Sequence, residues 1–241
     1  SPALQAALAC TEPTALFNPQ QLATTARQSG DQYVITGEKT LVIRGQHAEL
    51  FVVSAMLDGK PSLFIVEGGT AGLSVAAEPA MGLKAAETAR LKLDNVSVPA
   101  ANRIDANYQE FLDLGALAFC AIAVGTAKAV LDYVVPYVND RVAFGEPISH
   151  RQGVAFMVAD IAIELDAMQM MTWRACALAE AGKPFHREAH LARILCSEKA
   201  MKIGTDSVQL LGGHGFTKEH PVECWYRDLR CLAVTHSSLS L

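Results

Sequence analysis

The chain has 241 residues, of which 51% are hydrophobic and 19% charged, and its net charge is −5. That length can bury roughly 70–75% of the unfolded surface, in one large domain or two small ones. The acidic balance and the absence of any Lys/Arg run exclude nucleic acid or an anionic membrane as the main partner. No uninterrupted apolar run reaches the roughly 18 residues of a membrane span and no signal peptide opens the chain, so a cytoplasmic setting is the expectation. The six cysteines are scattered, with neither a Cys-x-x-Cys pair nor histidines at zinc spacing. They read as small core residues of a reducing compartment, and no metal site is expected.

From the N-terminus to about residue 100 the texture is that of strands. Gln32 to Thr36, Leu41 to Ile43, Leu50 to Val53, Leu63 to Val66 and Ala89 to Leu93 are β-branched or alternating runs, punctuated by Asp58-Gly59-Lys60-Pro61 and Gly68-Gly69. Short strands with brief connections predict an antiparallel sandwich or barrel, and no Gly-x-Gly-x-x-Gly supports a Rossmann fold.

After Val98-Pro99 the periodicity becomes helical. Residues 111 to 139 are apolar nearly all round, which predicts a buried helix that Pro136 kinks or ends. In 150 to 181, Val154, Met157, Ile161, Leu165, Met168 and Met171 recur at three- and four-residue spacing until Gly182 and Pro184 stop the run. Residues 187 to 211 repeat the pattern through Leu191, Ile194, Leu195, Ile203, Val208 and Leu211. These three helices predict an up-and-down bundle, completed by a helix near the C-terminus or from a neighbour. The fold class is therefore α+β and multidomain: a β domain at 1–100 and a four-helix bundle at 101–241. The apolar surplus suits an oligomer interface, at least a dimer through bundle faces.

Two stretches suit a large phosphate-bearing cofactor. Arg141-Val-Ala-Phe-Gly145 sets an arginine beside an aromatic and a glycine, and Gln209-Leu-Leu-Gly-Gly-His-Gly-Phe216 closes a long helix with glycines. A fixed guanidinium can fork onto a phosphate, and a glycine lets a ligand approach backbone N–H groups that a side chain would screen. The same glycines would serve as a helix C-cap, and both readings can hold. Thr11-Glu-Pro13, Gly30 to Lys39, Met81-Gly82, Asn95 to Pro99, Gln152 and Arg227-Asp228 complete a series of landmarks.

In that order the landmarks resemble the acyl-CoA dehydrogenase family across essentially the whole chain. The resemblance implies a middle β domain and a C-terminal four-helix bundle, with FAD between them and across a subunit boundary. It also implies a longer protein, with a helical domain ahead of Thr11 and a final helix beyond Leu241. Arg141, with Phe144 and Gln152, matches the residues that reach the FAD pyrophosphate of a neighbouring subunit. Gln209, Gly212 and Gly213 match the loop at its adenosine part, and Thr11 and Ser238 are further cofactor contacts by the same matching. The substrate it implies is an acyl-CoA thioester.

Around the flavin ring the sequence departs from the family. Phe17, in Thr14-Ala-Leu-Phe-Asn18, stands where a serine is usual, and Leu41-Val42-Ile43 offers no hydroxyl where the family presents a threonine. The family's glutamate base removes the α-proton while the β-hydride passes to the flavin. Counting from Arg227-Asp228, His236 occupies its position. A minority place the glutamate on the first bundle helix, where this chain reads Leu114-Gly115-Ala116. Two readings follow: an acyl-CoA dehydrogenase with an unusual base in a homodimer or tetramer, or a silent partner subunit that completes the cofactor site of a catalytic homologue in a heteromer.

Overall fold

The computed structural model describes residues 4–235, so His236 and Ser238 lie outside the described residues. Two compact units divide the chain after Tyr108, the second running from Gln109 to Val234.

The first unit is built on one eight-stranded sheet. Its strands are β1 (Ala6–Ala9), β2 (Thr25–Ser29), β3 (Gln32–Val42), β4 (Leu50–Leu57), β5 (Lys60–Glu67), β6 (Leu73–Ala77), β7 (Ala89–Pro99) and β8 (Arg103–Ile104). The order is β6-β7-β3-β2-β4-β5-β8, with β1 also on β4. Turn chemistry sets the hairpins: Leu57 pairs with Lys60 across Asp58 (φ 50°) and Gly59 (φ 76°), the left-handed pair of a two-residue turn. Along β7 the buried positions alternate as Ala89, Leu91 and Leu93, then resume at Val96 and Val98. The extra residue is absorbed where Asn95 takes φ 50° and the pairing with β3 slips between Ile35 and Gly37. That bulge keeps both halves of β7 facing the core of Phe51, Phe64, Ile35 and Leu91.

Three expectations are corrected here. The run at 32–36 and Leu41-Val42 of the run at 41–43 belong to the single strand β3, and Ile43 lies just beyond it. The pairing is not uniformly antiparallel, because β4 takes β1 in parallel along residues 50–53 and β2 in parallel at 56–57. The short strands β1, β2, β6 and β8 were not anticipated; in β6 four of the five residues are exposed, so no alternation marks it.

The second unit holds α1 (Tyr108–Asp140), α2 (Gln152–Glu180), α3 (His186–Leu211) and α4 (Val222–Thr235), the last completing the four helices as expected. Their shared core draws Ala123, Ala127, Val130 and Val134 from α1, Ile161, Leu165 and Met168 from α2, Ala192, Ala200 and Ile203 from α3, and Val222 and Leu229 from α4. Contrary to the expectation of burial all round, α1 is buried along one stripe, while Leu114, Ile122 and Val135 are 49%, 51% and 38% exposed. No uninterrupted apolar run in it reaches 18 residues, yet the helix is long enough to cross a membrane and holds an 18-residue window with a mean hydropathy of 1.9. Packing accounts for one stripe of it, and only 33% of that apolar window is buried. Pro136 does not end the helix, which runs on to Asp140. Its ring forgoes one hydrogen bond, to the carbonyl of Asp132, on the exposed side of the last turns.

Candidate functional site

Between α1 and α2 the chain makes a miniature hairpin, β9 (Val142–Ala143) against β10 (Glu146–Pro147), with Ala143 facing Glu146. Its loop is Phe144 (φ 58°) and Gly145 (φ 88°), again left-handed at both central positions. Glycine adopts this freely, but an aromatic residue there carries a cost on the order of 1 kcal/mol. Nothing in the unit covers that aromatic, which is 94% exposed with the Arg151 guanidinium 5.1 Å over its ring. An exposed aromatic held in a strained turn points to a ligand or partner rather than to folding.

Arg141 precedes this hairpin. Its N–H donates to the Tyr137 carbonyl at 2.9 Å and its own carbonyl accepts the Ile148 N–H at 2.9 Å, so its backbone is fixed at both sides. The side chain is exposed, and among the described residues no carboxylate pairs with it. Gln152 opens α2 with its side chain exposed.

The glycine stretch follows α3 as a tight 3₁₀ turn at Gly212–Phe216. The last turns of α1 hold it in place. Tyr137 donates its hydroxyl to the Leu211 carbonyl at 3.3 Å and shares a 2.8 Å hydrogen bond with His214 Nδ1. Tyr133 reaches His220 Nδ1 at 2.7 Å, and the two imidazoles stack with centroids 5.2 Å apart. His214 is thus a packing group that ties the loop to α1. Arg141 lies one turn beyond Tyr137, so the structure brings the arginine and the glycine loop to the same end of the helical unit.

The glycines there are not equivalent. A Cβ on Gly215 would sit 2.4 Å from the Val208 carbonyl oxygen, so packing within the chain requires that glycine. At Gly213 a Cβ would meet nothing within 4 Å and no left-handed φ demands glycine, while Gly212 (φ 57°) is demanded by its backbone alone. Both are exposed, as is Gln209. Gly213→Ala should therefore leave thermal stability nearly unchanged, whereas Gly215→Ala should lose about 1–3 kcal/mol by overpacking. Paired thermal melts check this, and equal losses in the two variants would contradict the assignment. An open backbone beside an unpaired guanidinium and an exposed aromatic fits a phosphate-bearing group such as FAD.

The residues expected at the flavin ring belong to the first unit. Thr11 is half-buried and its carbonyl accepts the Thr40 N–H at 2.9 Å. Phe17 is buried, so it is a packing residue where a hydroxyl was looked for. Leu41 takes φ 52°, and Glu78 pins that bend by accepting the Leu41 N–H at 2.7 Å and the Thr40 hydroxyl at 2.7 Å, with Arg90 on its other side at 2.8 Å. The one hydroxyl next to Leu41-Val42-Ile43 is thereby committed to Glu78.

Sequence reasoning missed the anchor beneath Thr11. Glu12 and Lys39 form an ion pair at 2.8 Å with side chains 2% and 0% exposed. Glu12 also accepts the N–H groups of Ala23 and Thr24 at 2.6 and 2.9 Å, and Lys39 donates to Ser54 at 3.1 Å. Burial opposes ionisation of Glu12, yet Lys39 and these hydrogen bonds outweigh it and hold the carboxyl below its ordinary value. Burial draws Lys39 down as well, against the pull of Glu12. On the first bundle helix Gly115 supplies no carboxylate; the neighbouring Asp113 is buried and engaged by His186 Nδ1 at 2.9 Å and Gln109 at 3.0 Å.

Residues 7–96 match the model of the acyl-CoA dehydrogenase middle domain and residues 106–236 that of the acyl-CoA dehydrogenase C-terminal domain. The cyclohex-1-ene-1-carbonyl-CoA dehydrogenase of Geobacter metallireducens is 39% identical over 240 residues, covering 94% of this chain and 63% of that protein. The short/branched chain specific acyl-CoA dehydrogenase of Rattus norvegicus is 36% identical over 222 residues, covering 87% of this chain and 51% of that protein. Among solved structures, butyryl-CoA dehydrogenase from Megasphaera elsdenii superposes with a TM-score of 0.86 at 31% identity, over 96% of this chain and 64% of that one. The chain thus spans about half to two thirds of the length of these relatives. Most of the sheet, the four helices, the Arg141 hairpin and the glycine turn fall within the matched regions, and the chain belongs to the acyl-CoA dehydrogenase family.

Proposed function

We propose that this chain is an acyl-CoA dehydrogenase-type flavoprotein that holds FAD through the Arg141 end of its helical unit, and that its own turnover of acyl-CoA thioesters is low. The observation that carries the first part is the convergence of the unpaired Arg141, the exposed Phe144 and the open backbone at Gly212-Gly213. Arg141 would fork onto the pyrophosphate, Gln209 and the glycine turn would take the adenosine part, and Gln152, Thr11 and Ser238 would add polar contacts. FAD, when bound, supplies a hydride acceptor. The relatives named above are named for CoA thioesters, and that is the substrate class we carry over.

The low turnover rests on the residues at the base positions. His236 stands where the family has its glutamate and would have to accept the α-proton on an imidazole nitrogen, with a different reach from a carboxylate. Gly115 leaves the alternative position without any base. The same losses favour a second reading, a non-catalytic subunit that lends Arg141 and the glycine turn to the FAD of an active homologue. Either assembly needs a covered helical face, and Phe156, Ile163 and Met170 offer one, 62%, 66% and 65% exposed at heptad spacing on α2.

The test is FAD affinity. A charge-assisted hydrogen bond contributes about 1.5–3 kcal/mol, so Arg141→Ala should weaken FAD binding to the assembled protein about 10- to 100-fold. Unchanged affinity in a titration followed by flavin fluorescence would refute the assigned role.

A further inference from the structure

The helical unit buries one guanidinium that it does not pair. Arg193, on α3, is 5% exposed, and its Nε and Nη2 have no hydrogen-bond partner. No other buried side-chain nitrogen or oxygen among the described residues lacks one. These two nitrogens lie on one edge of the guanidinium and point two N–H bonds the same way, the fork that recognises anions. Burial lowers the Arg193 pKa to about 10, so the group is still a cation at neutral pH. An uncompensated buried cation is strongly disfavoured, and native interiors pair such charges.

Beside Arg193 lies a small space between α1, α3 and α4, bordered by Cys120, Cys196, Ser197, Phe119 and Leu232. Among the described residues no carboxylate lines it. Its room is about that of one water molecule, the scale of a single small ion rather than of a nucleotide or thioester. The Ser197 hydroxyl borders the space as a second possible donor, and the apolar walls favour a weakly hydrated ion over a strongly hydrated one.

From this geometry we infer that the space beside Arg193 is a binding site for a small monovalent anion of halide size. The anion accepts the Nε–H and Nη2–H fork and supplies the counter-charge that the described residues do not provide. It thereby links the three helices around it, and the stability of the helical unit becomes dependent on halide. The site belongs to the helical unit alone and does not depend on flavin binding. The rival source of negative charge is a thiolate of Cys196, whose thiol is paired with that of Cys120.

The whole purified chain is dialysed into sodium gluconate, whose anion is too large for the space, and chloride is exchanged in at constant ionic strength. The expected results are a saturable broadening of the ³⁵Cl resonance that bromide competes away, and a thermal midpoint that rises by on the order of 5 °C at a hundred times the dissociation constant. Arg193→Met, similar in volume and neutral, should lose the broadening entirely and melt independently of chloride. Should that variant fail to fold, crystals of the wild type grown in sodium bromide decide: an anomalous peak within hydrogen-bond distance of Arg193 Nε and Nη2 upholds the site. No saturable broadening with wild type, no bromide peak, or thiolate absorbance near 240 nm in the anion-free protein that titrates away with added acid only below neutrality would overturn it.

Discussion

Lys39→Met should destabilise the sheet unit by about 3–5 kcal/mol, the largest stability effect we expect from any single substitution here. The change leaves the Glu12 carboxylate buried with two backbone N–H donors but no counter-charge, and leaves Ser54 without its donor. Glu12→Gln alone should cost a comparable amount, because Lys39 is then the stranded charge. The double variant Glu12→Gln/Lys39→Met should lose less than the sum of the two, since neither charge remains to be compensated. Urea unfolding of the four proteins closes the cycle, and strict additivity would show that the pair does not act as a unit. The pH dependence has a definite sign. Glu12 titrates below its ordinary value of 4.5 in the folded chain, so its contribution is complete above that value and is lost as pH falls through the lower, folded one. Acid unfolding of the sheet unit should move toward neutrality in Lys39→Met.

That pair also shows where a sequence can and cannot be read. Alternation along β3 puts Lys39 on the inward face, but a lysine in a strand reads as solvent-facing until its partner is known. Glu12 stands 27 residues away, in a segment without regular structure. By contrast, the helices were legible because their apolar spacing persists over many turns, and α2 and α3 fall at the expected residues within one or two positions. The strand breaks at Gly37 and Asn95 were not legible, since they depend on cross-strand crowding. A Cβ at Gly37 would lie 2.4 Å from Thr24 Oγ1, a contact no local pattern announces. At the candidate site the residues were recognisable as an ordered set of landmarks, and what sequence could not give was their convergence. No sequence pattern singles out Tyr137 and Tyr133, which carry the glycine turn against α1. Equally, Arg193 looked like one more charged residue on α3, and only its burial without a partner distinguishes it.

The second large effect lies in turnover. Installing the family's carboxylate as His236→Glu should raise the rate of acyl-CoA dehydrogenation by about 10² to 10⁴, the usual contribution of a positioned general base. The gain should approach the lower end, because Phe17 and Ile43 still stand where the resemblance would have hydroxyls near the thioester and the flavin. His236→Ala should scarcely change an already low rate. Were the imidazole instead the working base, His236→Ala would abolish turnover and His236→Glu would give no large gain, since roughly 1 Å of misplacement can cost about a hundredfold.

The most direct measurement is anaerobic reduction of the flavin-loaded wild-type protein by a panel of acyl-CoA thioesters of different chain length, followed as the loss of absorbance near 450 nm. Our account gives a stable flavin spectrum with only trace bleaching, and bleaching that becomes rapid in His236→Glu or when a glutamate-bearing homologous subunit is assembled with this chain. Rapid bleaching of the wild type alone, lost in His236→Ala, would contradict it and make His236 the catalytic base.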